Sequence, residues 1–107
     1  AEKTGNATFY VVNQQVTRTV YPSDYLSAQQ VKQMSFQPDM ILQFAQFLEQ
    51  TARQRGDSNV SVNATVYVSL NGRSSQLLID PAVDLTQYKN SLEPKVWILP
   101  LDNSQAR

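Results

Sequence analysis

The run from Asn59 to Asp80 constrains this chain more than any other stretch. Val60, Val62, Ala64, Val66, Val68 and Leu70 are apolar, and Ser61, Asn63, Thr65 and Ser69 between them are polar. Side chains alternate faces along a strand, so this period of two predicts a strand with one buried and one wet face. The run ends on Asn71-Gly72, a pair suited to the positive φ values of a type I′ turn. A two-residue loop there pairs Leu70 with Arg73, Val66 with Leu77 and Ala64 with Ile79. Leu77 and Ile79 then extend the apolar face of the valines. Asp80-Pro81 stops the second strand, because proline has no N–H for a ladder.

Earlier in the chain, Asn6 to Val12 and Val16 to Tyr21 are two further β-rich runs, joined by the polar Asn13-Gln14-Gln15. They predict a hairpin preceded by a loose lead-in over residues 1–5. Its faces are Ala7, Phe9 and Val11 on one side and Tyr10 and Val12 on the other. Ser27 with Gln30 three residues on forms a capping box for a short helix, Ala28 to Met34, with Val31 and Met34 facing inward. Pro38 opens a second helix that runs to about Arg55, ahead of Gly56. Its apolar stripe is Ile41, Phe44, Ala45, Leu48 and Ala52, with Gln43, Gln46, Glu49 and Gln50 on the wetter side. A helical turn is expected near Leu85 to Tyr88, and Lys95 to Leu99 reads as a last strand stopped by Pro100. The fold class is therefore α+β: a mostly antiparallel sheet of two hairpins plus a closing strand, with two helices on one face.

Composition narrows the chemistry. The 107 residues suit a single domain, with nine Lys plus Arg against nine Asp plus Glu, scattered singly. That balance gives no electrostatic footprint for nucleic acid. Without a single Cys or His, the chain has no thiolate nucleophile, no neutral-pH imidazole base and neither of the two commonest transition-metal ligands. No apolar run approaches the roughly 20 residues that span a bilayer.

Few residues stand out as site candidates. Asp80 and Asp84 flank Pro81 as a possible carboxylate pair or Ca²⁺ site, although an Asp before Pro more often caps a turn. Arg73 follows the Asn71-Gly72 turn and is a candidate docking residue. Trp97, Leu99, Tyr10 and Val12 lie opposite the faces assigned to the core, and together they would form an interface patch. Tyr21, Tyr25 and Phe9 read as packing groups. Asn6-Ala7-Thr8, Asn59-Val60-Ser61 and Asn63-Ala64-Thr65 match the N-glycosylation pattern, which is frequent by chance.

Several of these residues also carry a resemblance. Leu70-Asn71-Gly72-Arg73, Gln76, Asp80-Pro81, Val83-Asp84-Leu85, Trp97 and Pro100-Leu101 resemble the soluble region of vitamin K-dependent γ-carboxylases and their bacterial relatives. So does Gln37-Pro38-Asp39-Met40-Ile41-Leu42-Gln43-Phe44-Ala45. The resemblance, from about Thr4 to Leu101, implies a domain excised from a membrane-embedded parent that carboxylates protein glutamates with reduced vitamin K, CO₂ and O₂. The catalytic residues of that family lie mainly in its membrane part, so none is carried onto this chain. No cofactor or metal is expected here. The expected partners are the membrane-embedded part of the parent and a protein or peptide substrate, on the extracytoplasmic, periplasmic side. A non-enzymatic interaction domain on an unrelated membrane protein is the alternative.

Overall fold

A computed structural model of the chain describes residues 3–14, 16–70, 74–88 and 97–99. Strands β1 (Lys3–Asn13), β2 (Val16–Val20), β3 (Val60–Leu70) and β4 (Gln76–Leu77) form one antiparallel sheet in the order β2-β1-β3-β4. Helices α1 (Ala28–Met34) and α2 (Pro38–Gln54) connect β2 to β3. The α+β class read from the sequence holds. The long alternating run is the structural axis: β3 pairs with β1 over its whole length, from Asn13 opposite Val60 to Lys3 opposite Leu70. The lead-in expected over residues 1–5 is therefore strand from Lys3 onward, because β3 offers that end a partner.

The capping box of α1 forms as its sequence predicts. The Ser27 hydroxyl accepts the Gln30 N–H at 3.2 Å, and the Gln30 amide oxygen accepts the Ser27 N–H at 2.9 Å. Met34 is buried, whereas Val31 is only half-buried. At the far end of α2, Gly56 takes φ +102°. The Asp57 N–H reaches back to the Ala52 carbonyl at 3.2 Å, and the Gly56 N–H to that of Arg53 at 3.0 Å. This closure consumes orphan carbonyls and needs the left-handed residue that glycine supplies most cheaply. It also places Asp57 where its carboxylate accepts the Asn13 side-chain amide, fastening the helix end to the first hairpin.

The core lies between α2 and one face of the sheet. Ile41, Phe44, Ala45, Leu48 and Ala52 all bury as the stripe predicts, against Ala7, Phe9, Val11 and the even-numbered apolar residues of β3 from Val60 to Val68. Phe9 and Phe44 meet edge to face, with ring centroids 4.8 Å apart at 63°. Burying a side chain of this size is worth about 1.5–3 kcal/mol, and aromatic geometry adds roughly 0.5–1.5 kcal/mol. Glu49, assigned to the wet side, is instead buried. Arg53, one turn on, bonds its carboxylate through Nε at 3.0 Å and Nη2 at 2.9 Å, which compensates the desolvation.

Two further expectations are corrected. The second hairpin does not have the register of a two-residue loop: Leu77 pairs with Tyr67, not Val66, and Gln76 with Val68. Leu77 thus lies on the outer face, and Leu78 donates its N–H to the Val66 carbonyl at 2.7 Å and buries its side chain. A one-residue shift exchanges the faces of every side chain. Here the chain leaves the ladder after Leu77, so both Leu78 and Ile79 reach apolar surroundings. The turn residues Asn71, Gly72 and Arg73 lie outside the described residues.

Trp97 is the second correction. Expected in an exposed patch, it is 1% exposed and part of the core. Ile98 bridges Ile79, the Leu99 N–H donates to the Leu78 carbonyl at 2.7 Å, and the Asp80 N–H to the Trp97 carbonyl at 2.9 Å. The 80–88 loop folds back to supply a second wall, with Leu85 buried and the Tyr88 ring 6.3 Å from the indole. Trp97 is therefore enclosed, while Ile98 and Leu99 stay half-buried.

Candidate functional site

Asp84 is the most heavily engaged carboxylate among the described residues. Alternate residues of an antiparallel strand point their backbone groups to opposite neighbours, and Val62 points its N–H away from β1. β4 is too short to reach it, so Asp84 Oδ1 accepts that N–H at 3.1 Å in place of a strand. The same oxygen accepts the Thr86 N–H at 3.0 Å and hydroxyl at 2.8 Å, capping the single 3₁₀ turn at Leu85–Gln87. Asn63 adds a bond from its side-chain amide to the Val83 carbonyl at 3.0 Å. Asp80 caps its own turn by accepting the Ala82 N–H at 2.9 Å. Both residues have the capping role, and among the described residues no cluster of acidic side chains suits a metal ion.

Burial alone would push the Asp84 carboxyl up, but the Val62 N–H, the Thr86 hydroxyl and N–H and the Gln87 amide together hold it below its ordinary value of 3.8. A lowered folded-state pKa means stabilisation that is present above the unfolded pKa and lost as pH falls through the folded one. Asp84→Asn should therefore cost about 1 kcal/mol at neutral pH, the charge being partly screened by solvent. Urea denaturation from pH 7 to pH 3 should show the two proteins converging in acid. A gap that stays constant with pH would contradict the assignment.

The residues expected to form a docking patch are not brought together as one. Trp97 is in the core, while Leu99, Tyr10 and Val12 are half-buried. Arg73 lies outside the described residues. Apolar exposure lies instead on Val16 and Tyr67 of the sheet and on three residues of the helical side. Tyr21, Tyr25 and Phe47 are large and exposed, Tyr25 by 50% and Phe47 by 43%. Tyr25 and Phe47 border a groove of about 360 Å³ between α1, α2 and the 3₁₀ turn at Pro22–Asp24. Leu26, Met34, Met40, Gln43 and Phe44 complete its lining, and none of its side chains carries a formal charge.

The groove is continuous with the core. Phe9 packs on Phe44, the Phe44 ring lies 5.9 Å from Phe47 and 6.0 Å from Tyr25, and Tyr25 meets Phe47 edge to face at 5.4 Å. The buried Phe9–Phe44 pair thus holds the two exposed rings in place. Sequence reasoning left Phe47 out of the α2 stripe and treated Tyr21 and Tyr25 as packing groups. A signal was present: Met40, Phe44 and Phe47 form a second apolar row beside Ile41, Ala45, Leu48 and Ala52. That arc is wider than one sheet face covers. The unbranched, polarizable methionines in this lining can adapt to irregular apolar shapes.

Among the described residues no helix is long and apolar enough to cross a membrane. Residues 1–104 match the family model described as "Vitamin K-dependent gamma-carboxylase, lumenal domain". No curated protein and no solved structure matches the chain.

Proposed function

Because the chain belongs to the family of vitamin K-dependent gamma-carboxylase lumenal domains, we propose that it is the extramembrane docking and support module of a carboxylase-like membrane protein. It holds protein substrate or steadies the membrane-embedded part of its parent from the extracytoplasmic side, and leaves the chemistry to that part. The observation that carries this reading is the uncharged aromatic and methionine groove, whose outer rings Tyr25 and Phe47 remain exposed in the folded domain.

Reduced vitamin K, which the family implies for the parent, does not fit this groove as a reaction site. Its lining holds no carboxylate, ammonium or imidazole, and Tyr25 is its one titratable group. The side chains present suit apolar contact, not proton transfer.

The test is the double substitution Tyr25→Ser, Phe47→Ser, read in the 107-residue chain and in the full-length protein. Both rings are half-exposed, so the isolated chain should keep its fold with a loss of no more than about 1–2 kcal/mol. The full-length protein should lose association between this domain and the membrane-embedded part, or binding of its protein substrate. A full-length protein that kept both would refute the docking role.

A further inference from the structure

We propose that the free edge of β2 binds an extended acidic peptide as a fifth strand, with a peptide carboxylate seated between Arg18 and Arg55. β2 is the outermost strand of the sheet. The direction of its backbone groups follows from the other end of the same sheet. Val62 and Val66 turn theirs outward, to Asp84 and Leu78. Carried through the registers of β3 with β1 and of β1 with β2, the alternation points Thr17 and Thr19 away from β1. Both are exposed, and among the described residues nothing pairs with that edge. Two N–H donors and two carbonyl acceptors therefore face outward, which is the template for strand addition.

The helix-facing side of the same strand selects the peptide. Arg18 lies opposite Val11, and with Val20 it borders a cleft of about 230 Å³ against the last turns of α2. Leu48 and Thr51 also line the cleft, and Arg55 stands on its α2 side. Arg18 and Arg55 form no ion pair within the described residues. Asp24 also borders the cleft, so the charged side chains there sum to one net positive charge. A strand laid along Thr17 and Thr19 turns alternate side chains toward this cleft. A side chain with an apolar stem and a carboxylate tip matches Leu48 and the two guanidinium groups. A second copy of the chain is a poorer occupant, because antiparallel pairing of two β2 strands about their centres would set Arg18 against Arg18.

The site is separate from the groove, sharing only Tyr25 with it, and does not depend on the docking role of that groove. The experiment titrates the 107-residue chain with a Thr/Val hexapeptide carrying one central glutamate, and with its glutamine counterpart, followed by amide chemical shifts and binding isotherms at low salt. The glutamate peptide should bind about tenfold more tightly, with the largest shifts at Thr17 and Thr19. Arg18→Gln, Arg55→Gln should remove that preference while the residual binding stays at the same amides. A glutamate peptide N-methylated at the residues facing Thr17 and Thr19 should bind at least about tenfold more weakly. Equal affinity for the two peptides, shifts confined to other residues, or concentration-dependent dimerisation through β2 in place of peptide binding would overturn the proposal.

Discussion

Trp97→Ala should cost the domain about 3–5 kcal/mol, a large share of what a chain of this size has to lose. The indole is almost fully buried beside Tyr88, and its backbone carbonyl accepts the Asp80 N–H at 2.9 Å. Truncation therefore opens a cavity where the closing segment and the 80–88 loop meet. Urea denaturation measures the loss directly. Trp97→Phe, which keeps a ring in the same space, should retain most of the stability if the full truncation fails to fold. A loss below about 1 kcal/mol for Trp97→Ala would return this residue to the surface.

Phe44→Ala is expected to be as severe, again about 3–5 kcal/mol, because Phe44 joins Phe9 in the sheet core to Phe47 and Tyr25 in the groove. Gln43, its neighbour in sequence, is exposed, and Gln43→Ala should change stability by no more than about 0.5 kcal/mol. Denaturant midpoints of the two variants decide the matter. Equal damage from both would mean that α2 presents a different face to the sheet. The Phe44 substitution should also loosen the two exposed rings, so it is a poor probe of docking and a good one of the core.

The helices and the long strand were legible because each is specified locally. The Ser27–Gln30 box, Pro38 at a helix start, Gly56 past a helix end and the alternation of β3 leave few alternative placements. The register of the second hairpin was not legible, because Asn71-Gly72 fits a two-residue turn whether or not the flanking strands use one. Nothing in Gln76-Leu77-Leu78-Ile79 states that pairing ends after Leu77. The family was legible from the residues around Asp80-Pro81 and from the Pro38 helix. The groove was not, because it is built across three separate elements by Tyr25, Met34 and Phe47, none of which is unusual in its own segment. Glu49 illustrates the same limit: a carboxylate reads as wet until its partner, here Arg53, is known to cover it.

The exposed Tyr25–Phe47 pair as a contact surface is the central claim, and site-specific crosslinking tests it most directly. A photo-reactive residue in place of Phe47, introduced into the full-length protein, should crosslink to the membrane-embedded part of the parent or to bound protein substrate. The same residue in place of Gln50, exposed one turn further along α2 and outside the groove lining, should not. Equal crosslinking from both positions, or none from position 47, would contradict the claim.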